Sequence, residues 1–147
     1  MDPPRVDFYL LDETDAGGRT AVACRIAEKA LRRGHRVHVH VDSPDSARRL
    51  DDLLWTWRDE SFVPHAVRGA DEPADADGGL PVTIGWGRVP DSDADVLLNL
   101  DPRVPDGFER FARIAEFVGG SEPDRDAGRE RFRRYRAHGC ELRTHRL

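Results

Sequence analysis

Residues 6–54, VDFYLLDETDAGGRTAVACRIAEKALRRGHRVHVHVDSPDSARRLDDLL, decide the fold. VDFYLL at 6–11 is short, apolar and aromatic, and Asp12 bounds it, so it reads as a buried strand. Residues 20–33 switch to helical spacing. Val22, Ile26 and Ala30 and, one phase on, Ala23, Ala27 and Leu31 make the apolar face, and Gly34 ends the helix. RVHVHV at 36–41 alternates strictly. Val37, Val39 and Val41 point one way, and Arg36, His38 and His40 form the other, exposed face. Ser43 caps the next helix, and Pro44 takes its first position, where a missing N–H costs nothing. Strand, helix, strand, helix in series is the pattern of a parallel sheet covered by helices.

Downstream the pattern continues. LWTWRDESF at 54–62 holds two tryptophans and a phenylalanine, and residues 61–67 form a weak strand that Pro64 confines to an edge or a terminus. GADEPADADGG at 69–79 is acidic and apolar-poor, a mobile surface loop. PVTIGW at 81–86 and DVLLNL at 95–100 are strands. Residues 106–118 read as a helix burying Phe108, Phe111, Ile114, Ala115 and Val118. Residues 119–128 read as a hinge of Gly, Pro and acids, a basic helix follows, and 141–147 is a short extended tail. The expected architecture is one α/β domain over residues 1–147. It is a Rossmann-like three-layer fold with a mostly parallel sheet of four or five strands and no nucleotide-binding loop.

The charge is unevenly spread. The chain is −5 overall, but residues 124–147 carry eight arginines against four acids, leaving −9 for residues 1–123. RERFRRYRAHG at 129–139 concentrates that excess. At helical period Gly128, Phe132, Tyr135 and Gly139 form an apolar stripe, and Arg125, Arg129, Arg133 and Arg136 a basic one beside it. Gly139 is a natural stop, being able to adopt a left-handed conformation. Two readings stand: a solvated surface helix, or a site for an anionic partner. An acidic chain of this kind is not a general nucleic-acid binder. Cys24 and Cys140 form no motif, which fits a reduced, cytoplasmic protein. No stretch approaches the roughly 20 apolar residues of a membrane span, and the N-terminus enters a strand without a signal peptide.

Catalytic signatures are missing. DETDAGGRT after the first strand matches neither G-x-G-x-x-G nor G-x-x-x-x-G-K-[ST]. His38 and His40 could face a metal together, but no third ligand is evident. Asp12, Glu13 and Asp15 make an ordinary acidic loop, and Ser61 with His65 makes no dyad. No cofactor, metal or catalytic residue is expected.

FYLLD at 8–12, LWTW…SFVPH at 54–65 and RERFRRYRAHG at 129–139 together resemble the chi subunit of bacterial DNA polymerase III, and order, spacing and length fit over essentially the whole chain. The resemblance implies a Rossmann-like fold without nucleotide chemistry. It also implies two partners, the psi subunit of the clamp-loader complex and the acidic C-terminal tail of single-stranded DNA-binding protein, and through them an indirect association with DNA. It places Arg125, Arg129 and Arg133 where the tail's carboxylates land, and Val118, Phe132, Leu142 and Thr144 around its terminal Phe. Trp55 and Phe62 fall on the surface for the psi helix. Phe132 stands where a Tyr is common, and Arg133 where a Lys is common.

Three functions therefore compete. The first is a non-catalytic replisome adaptor. The second is a small nucleotide-binding or degenerate nucleotide-dependent enzyme, which binding of ATP or NAD would favour. The third is direct single-strand nucleic-acid binding by the Arg-rich helix, with Phe132 and Tyr135 stacking on bases.

Overall fold

The computed structural model describes residues 3–11, 16–56, 65–67, 82–89 and 94–146. Its elements in chain order are β1 (Arg5–Leu10), α1 (Ala16–Arg32), β2 (Val37–Val41), α2 (Pro44–Thr56), β3 (His65–Val67), β4 (Val82–Trp86), β5 (Val96–Asn99), a 3-10 turn (Phe108–Arg110), β6 (Arg113–Val118), α3 (Glu122–Ala137) and β7 (Glu141–Arg146). The strands form one seven-stranded sheet in the order β3-β4-β2-β5-β6-β1-β7, and all six pairings are parallel. The expected parallel α/β sheet is present, with more than the four or five strands anticipated.

Two apolar clusters show the layering. Val22, Ala23, Ala27 and Ala30 of α1 and Ala47 and Leu50 of α2 pack with Val37, Val39, Val41, Ile84, Val96, Leu98, Ala115 and Phe117. Leu97 of β5 and Ile114 and Val118 of β6, their alternates, pack on the other face with Val6 and Phe8 of β1, Tyr135 and Phe132 of α3, and Val104, Phe108 and Phe111. Helices α1 and α2 thus cover one face, and α3 with the segment before β6 covers the other.

Two readings of the secondary structure are corrected, and the extended tail gains a partner. Residues 106–118 are a short 3-10 turn and a strand, not a helix. Phe108, Phe111, Ile114, Ala115 and Val118 mimic a 3.6-residue repeat. But β6 lies in mid-sheet with both faces covered, so Ile114 to Val118 are all buried and the run shows no polar alternation. The hinge shrinks to Gly119, Gly120 and Ser121. Ser121 is the N-cap of α3, its side chain accepting a hydrogen bond from Asp124 N at 3.3 Å, so residues 122–128 are already helical. The tail is edge strand β7, paired along β1.

His38 and His40 are buried, not exposed. Their face of β2 lies beneath residues 101–111. His38 Nδ1 is 2.7 Å from Thr83 Oγ1 and the ring stacks on Phe111; His40 Nε2 is 3.1 Å from Asp101 Oδ2. Sequence periodicity placed them correctly on one face but could not show that a non-helical segment covers it.

Asp101, and Asp95 beside His35, titrate below the ordinary carboxylate value. Burial pushes each upward, but hydrogen bonds from His40 and Arg103 N to Asp101, and from His35 and Arg36 N to Asp95, outweigh it. A depressed folded-state pKa contributes stability that is present above the unfolded value of 3.8 and is lost as pH falls through the folded one. Thermal melts are therefore expected to fall steeply below about pH 4, and Asp101→Asn should flatten that fall. An unchanged acid limb in the variant would refute the assignment.

Candidate functional site

Helix α3 runs across β6 and β7 because its small and aromatic positions share a face. Gly128, Arg131 and Tyr135 are buried and Phe132 is half-buried. Gly128 permits a close approach: a Cβ there would lie 2.9 Å from Val118 Cγ2 and 3.1 Å from Cγ1. Phe132 packs on Phe8 of β1 with ring centroids 5.4 Å apart. Gly139 closes the helix at φ 79°, the left-handed stop read from the sequence.

Alanine at position 128 tests the close approach. It would gain about 1 kcal/mol of helix propensity, whereas overpacking against a stiff Val costs about 1–3 kcal/mol. Gly128→Ala is thus expected to lose stability in urea melts, and in a chain already carrying Val118→Ala the same change should cost little or nothing. A stabilised single variant would show that α3 is free to shift.

The one arginine of α3 that turns inward anchors the helix. Arg131 Nε donates to Glu116 Oε1 at 2.8 Å, Nη1 to Pro102 O at 3.0 Å, and Nη2 to Phe117 O at 3.3 Å. Glu116 Oε2 accepts from Tyr135 Oη at 2.6 Å and Asn99 Nδ2 at 2.8 Å. Complete burial pushes the Glu116 carboxyl up, and Arg131, Asn99 and Tyr135 pull it back. Burial and the Glu116 carboxylate push the Tyr135 hydroxyl far up, so it remains a donor.

On the outer side of this anchor is an open cleft of about 430 Å³. Phe8, Leu10, Val118 and Phe132 supply its apolar surface, Arg125 and Arg129 line it from α3, and Thr144 and Arg146 from β7. Arg129 is 2.5 Å from Asp126 and 4.0 Å from Glu122. Arg125 and Arg146 make no ion pair among the described residues. The cleft can therefore hold an anion between two cationic walls and an apolar group on its aromatic floor.

Of the residues singled out in the sequence, Arg125, Arg129, Phe132, Val118 and Thr144 come together here. Arg133 and Leu142 do not line the cleft. A step of four residues drifts about 40° around a helix, so two steps carry Arg133 well round from Arg125, where it is exposed and paired with Glu130. Leu142, opposite Val6 in the sheet, packs against the core cluster that includes Phe8 and Tyr135. Sequence reasoning missed Phe8, Leu10 and Arg146. Their signal was strand parity, since residues 6, 8 and 10 share the face that meets α3. The proposed psi surface lies elsewhere. Trp55 is in the last turn of α2, but its side chain, all of Phe62, the acids at 12–15, Ser61 and the loop at 69–79 lie outside the described residues.

Among the described residues no group of three or more His, Cys, Asp or Glu side chains is placed to hold a metal, and no helix is long and apolar enough to cross a membrane. Fold and cleft together describe a small α/β binding protein. The family described as DNA polymerase III chi subunit, HolC, matches residues 4–143. The chain is 41% identical over 143 residues to the DNA polymerase III subunit chi of Pseudomonas aeruginosa, covering 97% of this chain and 96% of that one. It is 37% identical over 142 residues to the subunit of the same name from Escherichia coli K12, covering 93% and 94%, and 30% identical to that of Haemophilus influenzae, covering 93% of each. The chain belongs to the DNA polymerase III chi subunit family. With that membership the non-catalytic adaptor reading stands, and the nucleotide-dependent enzyme falls away.

Proposed function

We propose that the chain acts in the bacterial cytoplasm as the adaptor between the clamp-loader complex and single-stranded DNA-binding protein. The cleft between α3 and β7 takes the acidic C-terminal tail of the latter. Arg125 and Arg129 receive its carboxylates, Arg133 extends the basic stripe, and Val118, Phe132 and Thr144 hold the terminal Phe over Leu142. Trp55 and Phe62 form the surface for psi. The observation that carries this reading is the cleft itself, in which two arginines without ion pairs among the described residues face each other across an aromatic floor. Charge-assisted forks suit carboxylates, and a ring filling a small apolar site is the usual form of a peptide anchor.

Isothermal titration with a synthetic acidic tail peptide ending in Phe tests it. Binding is expected with one peptide per chain, and replacing the terminal Phe by Ala should weaken it by about 2 kcal/mol, roughly 30-fold. Equal affinity for the two peptides would leave only a nonspecific cationic surface. The same titration with ATP-Mg²⁺ is expected to give no saturable heat.

A further inference from the structure

A second groove, of about 450 Å³, lies on the opposite face of the sheet, where α1 stops short of the edge. Helix α1 lies mainly over β2, β5 and β6, so among the described residues the outward side chains of β1 and β7 on this side are only partly covered. Arg5, Asp7 and Tyr9 of β1, Arg113 of β6 and His145 of β7 line one side, and Lys29 and Arg33 of α1 the other. Four permanent cations thus surround one carboxylate. That carboxylate, Asp7, is buried and already committed to His145 Nε2 at 2.8 Å and Arg5 Nη2 at 3.2 Å. Lys29 and Arg33 make no ion pair among the described residues. Arg5 Nε is buried and makes no hydrogen bond among the described residues.

A ladder of flat rings runs from the core into this groove, whose lining includes its last two members, Tyr9 and His145. Phe117, Tyr9 and His145 stand on adjacent strands β6, β1 and β7. Phe117 stacks on Tyr9 at 5.7 Å and 19°, and Tyr9 on His145 at 5.0 Å and 20°. Phe117 is buried, whereas the His145 side chain is 40% exposed on the edge strand, where the ladder ends. Locally the lining is cationic: Arg5, Lys29, Arg33 and Arg113 stand against the single carboxylate of Asp7.

We propose that this groove binds single-stranded nucleic acid, with phosphates between the α1 and β1/β6 cations and a base stacked on the His145 end of the ladder. Stacking platforms between cationic walls suit single strands without sequence preference. The ladder favours a strand over an acidic peptide, which needs the cations but has no use for stacked rings. The site is independent of the α3 cleft and does not employ the Arg-rich helix.

Fluorescence anisotropy of a labelled oligothymidylate of about 12 nucleotides, within the usual size of such a site, tests the proposal on the full chain. Saturable binding is expected at low salt. Lys29→Ala with Arg33→Ala, both exposed, should reduce the salt slope by about 1–2. His145→Ala should weaken binding about fivefold or more through lost stacking. Arg125→Ala with Arg129→Ala should leave it unchanged while reducing binding of the tail peptide. No saturable binding, or loss through the α3 variants instead, overturns the proposal. So does displacement by free thymidine monophosphate or by a polyglutamate peptide at the oligonucleotide's own nucleotide concentration, which would identify a mononucleotide or an acidic-peptide site.

Discussion

Arg131→Ala is expected to be among the most damaging single changes in the chain, costing about 3–5 kcal/mol, because it leaves a fully buried carboxylate without its counter-ion. At about 2–4 °C per kcal/mol for a chain of this size, the melting temperature should fall by roughly 10 °C. The sign follows from Glu116. Its pKa is raised by burial, so stability from this group is fullest below its unfolded value of 4.5 and declines as pH climbs and the carboxyl ionises. Arg131 limits that decline, and the variant should therefore be hurt more at neutral pH than at pH about 4.5. Replacing both partners, Arg131→Met with Glu116→Gln, removes the buried charges together while the amide oxygen still accepts from Tyr135 Oη and Asn99 Nδ2, and should recover much of the loss. A loss below about 1 kcal/mol for Arg131→Ala, or a double variant as unstable as the single, would show that the pair is not the anchor of α3.

This network also explains what could and could not be read from the sequence. The first 54 residues carried their own punctuation, with a stop at Gly34, a cap at Ser43 and strict alternation at 37–41, and the described elements follow it, although the His38 and His40 face of β2 is buried rather than exposed. Strand β6 was misread because its buried glutamate interrupts the apolar run at the position that a helical face would leave polar. Only a partner 15 residues away, Arg131, makes a strand with Glu116 inside tolerable. Arg131 was hidden likewise, one arginine among five in RERFRRYR, indistinguishable by composition from its solvated neighbours. The cleft was half legible. Its α3 wall followed from helical periodicity, but its β7 wall depended on which strand lies beside β1, and a parallel pairing between the two ends of a chain leaves no local mark.

Arg125→Glu is expected to weaken binding of an acidic, Phe-ending tail peptide strongly while leaving the fold intact. Arg125 is exposed, lines the cleft and makes no ion pair among the described residues, so nothing in the native helix depends on its charge. Removing one screened charge pair costs about 1 kcal/mol, and reversing the charge about twice that, roughly a 30-fold loss. Arg146→Glu on the facing wall should act similarly. Arg129→Ala should do less, because Arg129 is shared with Asp126 and Glu122, so the peptide gains only what those acids do not already supply. Each loss should shrink as salt is raised, since exposed ion pairs weaken as salt screens them. The contribution of the terminal Phe should persist, because burial on Phe8 and Phe132 does not depend on screening. Titrations at low and high salt separate the two parts. If Arg125→Glu and Arg146→Glu both bind the peptide as tightly as the unaltered chain at low salt, the cleft is not where the tail lands.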